Sequence, residues 1–570
     1  MFVQWAMLHL NRRWISIAFI AVAAILFYVA NRGAYRGYFS NDDMATLSWA
    51  PIAGADTYYG PILSPKFSEL NFRPAGTLYY RFAHHAFGLH YAPYVVVLQL
   101  LHILNVVLLF FLLERLGFPR IASAAGAVFY SFNAAVMEAY WKPMFVFDLL
   151  CATLCLAAFL LYVRGRWLLA LAPFWLAYKS KEIAVMLPVG LLAYELLLGK
   201  RKWRRLVPYF LISLSFGLQA VWHNRSIPAV GTYSLHFTPE AVLNAVRFYS
   251  SAMFFLPDLW VALLLLPFIV RDRRLFVGVI MIASVFVPLL FLPGRLLSVY
   301  WYLPMIGLAI AVAAIATRTP RWAIALFFLF WLPLNYVLLR DKRRVILAEG
   351  NAMHSLVTML QDYKRNIPPV HAVVYDNLPD GLGFWGVDGA ITQIFGYSVA
   401  PAWSKRPNAP AALANVPMAL ITFQPPFGIK GMIRTHDGLQ PYIRFSDKVP
   451  ESQLGAGWYD PDMPLRWIGP KAEAAFYKPA GAARFEIAAS VPPIALKREG
   501  PSTVTVFEDG NSLGTVTYSV PRVERLRWNL LDAGAGDKRI TIVCRPSRRG
   551  DPIDPRELGI AVSEVGYVQR

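Results

Sequence analysis

Asp42 and Asp43 stand side by side in YFSNDDMATLSWAP (38–51), a short distance beyond a long apolar run. Adjacent carboxylates have two ordinary uses. They cap and start a helix, as SNDD before a helix-compatible run would, or they serve as an acid–base pair facing a substrate. Basic residues placed beside aromatics recur further along, in AYWKPMF (139–145), YKSKEIAVMLP (178–188) and LPGRLLSVYWYLP (292–304). Cations next to amphipathic rings suit the head-group level of a bilayer and an anionic ligand there.

The elements that must carry these residues are membrane spans. The chain has 570 residues, 57% hydrophobic and 16% charged, with a mean hydropathy of +0.43, too apolar for an ordinary soluble protein. Aromatics at 15%, 17 Trp among them, fit a protein anchored at two interfaces. Apolar runs lie at 14–30, 93–113, 121–139, 145–163, 167–179, 183–198, 206–222, 252–270, 275–293, 299–316 and 321–339, about eleven spans by the length a bilayer demands. The formal charge of +20 punctuates the gaps between them: NRR (11–13), ERLGFPR (114–120), RGR (164–166), GKRKWRR (199–205), RDRR (271–274) and TRTPR (317–321) fall on one side. That pattern is the positive-inside signal, not a nucleic-acid footprint. It predicts a cytoplasmic N-terminus, a retained first span, and a large first outer loop, 31–92, that holds Asp42 and Asp43 outside. FRPAGTLYYRFAHHAFGLH (72–90) within this loop has helical spacing at Leu78, Phe82 and Ala86.

Other polar residues read as structural. His102 and Asn105 share a helix face and suit interhelical hydrogen bonds. Asp148 and Asp258, near outer span ends, read as packing groups. The adjacent His84 and His85 cannot share a helical face, which argues against a metal site there. Cys151 and Cys155 fall inside a span and Cys544 stands apart, so the exported part has no disulfide framework.

Beyond residue 340 the composition changes. RDKRRVILAEGNAMHSLVTMLQDYKRN (340–366) predicts an amphipathic helix leaving the membrane, and VHAVVYDNLP (370–379) a strand. TVTVFEDGNSLGTVTYSV (503–520) is a hairpin around Asp509-Gly510, and ERLRWNLL, KRITIVCRP and LGIAVSEVGYV continue at sandwich spacing. The expected architecture is a polytopic α-helical membrane module (1–340), an extracytoplasmic linker or α+β region (341–456) and a terminal β-sandwich or jelly roll (457–570).

Five segments, NDDMATLSW, FRPAGTLYY, LLHILNVVLLFFLLERLG, SKEIAVMLP and GRLLSVYWYLPMIGLAI, occur in that order. Together they resemble the C-type integral-membrane glycosyltransferases, in particular the protein O-mannosyltransferase branch and its bacterial relatives. The resemblance covers about residues 1–340, and all but the second-span segment fall on one membrane face. The spacing of Ser298–Tyr302 differs from the family's Arg-Tyr-Leu-Tyr-Pro segment. The terminal region, through GWYDPDMPLRWIGPKAEAAF (457–476) and DPRELGIAVSEV (554–565), resembles carbohydrate-binding jelly rolls.

The resemblance implies transfer of a sugar from a polyprenyl-phosphate donor to an extracytoplasmic glycan, lipid or protein, in a bacterial inner membrane. Asp42 would be the general base, and Asp43 would position the acceptor or raise the base's pKa. Arg295, Lys181 and Arg73 would meet the donor phosphate, and an apolar groove would take the prenyl chain. Weaker acceptor or sugar contacts are Glu182, Tyr300, Tyr302 and Trp458; the last could instead be a sandwich-core aromatic. The family includes metal-dependent and metal-independent members, so a divalent cation, Mg²⁺ or Mn²⁺, stays open. Two other classes compete: a glycan or lipid transporter or flippase, and a non-catalytic scaffold presenting a glycan-binding domain. Neither internal repeats nor mid-span charge pairs favour the transporter.

Overall fold

The computed structural model describes residues 21–66, 73–224, 235–254, 258–403, 418–424, 428–434, 439–446, 453–462, 465–491, 493–549 and 556–569. The start of the first span and the basic triplet at 11–13 lie outside the described residues. Two compact units emerge, Met1–Met353 and His354–Arg570.

The first unit is helical. Three helices among the described residues are long and apolar enough to cross a bilayer: Tyr91–Arg115, Pro143–Val163 and Arg321–Arg365. Other apolar runs fold as shorter or interrupted helices. The 121–139 run is helical over Arg120–Ser131 and then continues as a 3₁₀ stretch, Ala134–Tyr140, where Asn133 accepts the N–H of Ala135 in place of the next helical carbonyl. The 183–198 run opens with a 3₁₀ turn, Glu182–Met186, before helix Leu187–Leu197, whose first turn contains a proline. Helix Arg321–Arg365 has 45 residues, about twice what a bilayer needs, so its second half projects beyond the apolar layer.

Three short helices occupy the loop after the first span: Asn41–Leu47, Ala55–Leu63 and Pro74–Phe87. The last has proline in its first turn and Gly88 (φ 56°) just past its end, the usual asymmetry of helix termini.

The second unit holds two sheets of different character. Strands β1 (Ala372–Asp376), β2 (Ala400–Trp403) and β3 (Met418–Gln424) pair in parallel with β1 central, and β4 (Gly428–Arg434) closes antiparallel on β3. Helix Phe384–Phe395 makes the β1-to-β2 crossover. The sandwich follows, formed by β5 (Tyr442–Arg444), β6 (Trp458–Asp462), β7 (Leu465–Ile468), β8 (Lys471–Lys478), β9 (Ala482–Ser490), β10 (Ser502–Glu508), β11 (Asn511–Tyr518), β12 (Glu524–Asn529) and β13 (Gly536–Arg545). A small β14–β15 pair (Arg548–Arg549, Glu557–Leu558) precedes β16 (Ala561–Gln569). One face runs β11-β10-β13-β8 and the other β12-β9-β16-β7-β6, with β5 on β16. Strand β5 brings the sandwich's start forward to residue 442. Asp509 and Gly510 both adopt left-handed φ (49° and 87°) between β10 and β11, as a two-residue hairpin turn matched to strand twist requires. Inward residues such as Phe476, Phe485, Val504 and Ile542 fill the core between the faces.

Candidate active site

Ser40 is the N-cap of helix Asn41–Leu47, and Asp43 is its third residue. Ser40 N–H and Oγ both donate to Asp43 Oδ2 at 2.7 Å, while Asp43 N–H returns to Ser40 Oγ. This reciprocal capping box satisfies end groups that a seven-residue helix cannot satisfy internally. Tyr80, from helix Pro74–Phe87, donates its hydroxyl to Asp43 Oδ1 at 2.6 Å. Asp43 is wholly buried. Burial pushes its carboxyl up to about 6, although Tyr80 and Ser40 hold it back, and Asp42 adds a small upward push. Asp42, one position earlier, is exposed. The adjacent acids therefore have different environments: Asp43 anchors the helix, and Asp42 is presented to the surroundings.

Phe147 connects this corner to the cations. Its ring lies 6.3 Å from that of Tyr80, and Arg73 sits over it at 5.5 Å. Gly76 permits this approach, since a Cβ there would lie 2.1 Å from the Phe147 ring. Arg73 donates twice to Glu182, Nε to Oε2 at 2.9 Å and Nη2 to Oε1 at 2.6 Å. Burial pushes the Glu182 carboxyl up, but the Arg73 charge and its hydrogen bonds outweigh burial and hold it at about 2.

Lys181 is buried and pairs with Asp148 at 2.5 Å. Its ammonium also lies 4.8 Å from the centre of the Tyr300 ring, and Arg295 Nε donates to the Tyr300 hydroxyl at 3.0 Å. Segments 40–43, 73–80, 144–148, 181–182 and 295–300 thus form one connected network. Arg73, Lys181 and Arg295 all belong to it, each with a partner inside the protein.

Tyr302 and Trp458 do not occupy surfaces that a sugar could reach. Tyr302 is buried beneath the network, its hydroxyl 2.7 Å from His102 Nδ1 and accepting from Asn105 Nδ2 at 3.1 Å. This gives His102 and Asn105 the interhelical role expected of them. Trp458 is 8% exposed; it packs against Phe445 and donates Nε1 to Glu473 O at 2.9 Å. It is a core aromatic of the sandwich, because β6 turns it inward.

Sequence reasoning left Asp148 outside the site as a packing group and did not single out Phe147 or Tyr80. Asp148 carried a signal: a carboxylate in the first turn of an apolar span is costly unless paired. Phe147 and Tyr80 carried none, since aromatics at helical spacing are ordinary.

Of the aspartate pair, Asp43 is the acid already engaged by protein donors. Both oxygens of Asp43 already accept O–H or N–H donors, whereas Mg²⁺ and Mn²⁺ need open oxygen ligands. Among the described residues no group of three His, Cys, Asp or Glu could hold a metal ion.

No protein-family description and no curated protein matches the chain. Among solved structures it is similar to ArnT from Cupriavidus metallidurans, at 15% identity and a TM-score of 0.43 over 72% of this chain and 93% of that one. An oligosaccharyltransferase from Archaeoglobus fulgidus matches at 11% identity and a TM-score of 0.43, over 97% of each chain. The arabinosyltransferase EmbB from Mycobacterium smegmatis matches at 12% and 0.35, over 98% of this chain and 65% of that one.

Proposed function

We propose that the protein is a membrane glycosyltransferase that moves a sugar from a polyprenyl-phosphate donor to an acceptor on the extracytoplasmic side. The observation that carries this reading is the single network joining the Asp42–Asp43 corner to Arg73, Lys181 and Arg295. Transfer needs a base on the acceptor and cations on the leaving group within a few ångströms. Asp42 accepts the acceptor's hydroxyl proton as that oxygen bonds to the sugar's C1. The C1–O bond to phosphate breaks, and the charge left on the polyprenyl phosphate is met by Arg73, Lys181 and Arg295.

Every cation is held in place before the donor arrives. Glu182 and Asp148 occupy Arg73 and Lys181, and Tyr300 orients Arg295, so phosphate binding exchanges partners around groups that are already ordered. Asp43 serves by fixing helix Asn41–Leu47 and so aiming its neighbour. A small apolar pocket lined by Cys155, Met186, Leu187, Met281, Ser284 and Leu303 among others would have to widen to take the prenyl chain. Met186 follows Glu182 by four residues and Leu303 follows Tyr302 directly, so the pocket and the network share two segments of chain.

The test uses the full-length protein in proteoliposomes with a panel of short-chain polyprenyl-phosphate pentoses and hexoses. Asp42→Asn should lower kcat by about 10²–10⁴-fold, the usual worth of a general base, with the donor KM and the folded fraction unchanged. Equal product from the variant, or no transfer by the wild type from any donor, would sink the proposal. The second outcome would favour a scaffold.

A further inference from the structure

Arg343 lies on helix Arg321–Arg365, a turn past the end of its apolar stretch at residue 339. Its guanidinium is clasped by two rings, 5.5 Å from the centre of Trp141 and 5.0 Å from that of Tyr336. Those contacts use the face of the guanidinium and leave its edge. On that edge Nε and Nη2 are sealed from water with no hydrogen-bond acceptor. A buried donor left without an acceptor is costly, and more so on a charged group. A bound water or ion is one of the few ways in which such donors are satisfied.

The surroundings make that ion an anion. Residues 340–344, RDKRR, carry four cations against Asp341, which pairs with Arg344 at the surface. Lys142, beside Trp141, is matched by Glu349 at 2.6 Å. Among the described residues no carboxylate pairs with Arg343. Lys342 is partly buried, which pushes its ammonium down, with Glu138 offsetting this in part.

Location indicates where the anion comes from. Trp141 donates Nε1 to Asn31 Oδ1 at 2.9 Å, so the end of the first span, the loop at 141 and the exit of the last span meet here. This is the depth of lipid phosphates in a bilayer. Trp141 is held by Asn31 and buried, whereas Tyr336 is 54% exposed and is the ring that can give way.

We propose that Arg343, backed by the Trp141 ring and helped by Lys342, binds the phosphodiester headgroup of an anionic membrane lipid. The site is distinct from the Arg73–Lys181–Arg295 network and does not depend on glycosyl transfer. A guanidinium edge suits two phosphate oxygens at once, and each basic residue near an anionic membrane surface adds to the attraction.

Thermal unfolding of the full-length detergent-solubilised protein tests it, with dihexanoyl phosphatidylglycerol, dihexanoyl phosphatidylcholine or inorganic phosphate as the probe. Phosphatidylglycerol should raise the midpoint, phosphatidylcholine should not, and the shift should shrink at high ionic strength. Arg343→Gln should weaken the apparent affinity for phosphatidylglycerol about tenfold, one step on the affinity scale. Arg343→Lys, which keeps the charge and loses the fork, should fall between, and Lys342→Gln should weaken it by a smaller factor. The last two variants decide the matter if Arg343→Gln does not fold. Unchanged phosphatidylglycerol affinity in both of them would overturn the assignment. So would equal stabilisation by phosphatidylcholine or by inorganic phosphate.

Discussion

Asp43 and Glu182 are two carboxylates of one network, and their environments drive them in opposite directions. Burial raises both. At Asp43 the partners are the Tyr80 and Ser40 hydroxyls and a backbone N–H, which carry no net charge, so the carboxyl stays high at about 6. At Glu182 the partner is a guanidinium, and the carboxyl falls to about 2. Neutral hydrogen bonds relieve part of the cost of burying a charge, while an opposite charge can reverse it. The difference separates a capping corner that tolerates a proton from a cation corner that rejects one.

The largest way to break this comparison lies at the more buried of the network's two ion pairs. Asp148→Asn leaves Lys181 buried without its counter-charge, and should cost about 3–5 kcal/mol of stability in thermal unfolding. Replacing both members by apolar residues of similar volume should cost much less. A double variant as unstable as the single one would show that the pair itself is not what matters.

Next comes the pH dependence of Asp43. Its folded pKa lies above its ordinary value of 3.8, so its contribution is full below 3.8 and is lost as pH rises through about 6. The stability difference between wild type and Asp43→Asn should therefore fall by about 3 kcal/mol across that window and stay flat above it. A flat difference throughout would mean that Asp43 does not carry the raised pKa.

Glu182 should show the opposite sign at smaller size. Its folded pKa is depressed, so its contribution is present above 4.5 and is lost as pH falls towards about 2. The Glu182 side chain is 43% exposed, and solvent screening reduces the effect to about 1 kcal/mol between wild type and Glu182→Gln. The smallest change is Tyr80→Phe, which removes one neutral donor from Asp43. It should lower the midpoint above pH 7 by an amount equivalent to about 1 kcal/mol and move the Asp43 window upward; a window that stayed in place would mean Tyr80 has little hold on the carboxyl.

Much of this was legible in the chain. Apolar runs, charged gaps and the Asp509-Gly510 turn are local signals, set by residue type and by periods of 3.6 or 2, so they mark helices, membrane-facing segments and the hairpin directly. The SNDD run likewise announced a helix start, and the basic residues beside aromatics in later loops were visible as candidates. What only the tertiary structure decided is pairing. Arg73 meets Glu182 across 109 positions, Lys181 meets Asp148 across 33, and Asp43 meets Tyr80 across 37. Nothing in local spacing distinguishes those partners from others of the same type. Burial is equally non-local: Asp42 and Asp43 are the same residue side by side, and Trp458 is a Trp like any other. Which acid is sealed and which is exposed depends on the segments that close over them, because desolvation and charge pairing are set by neighbours in space.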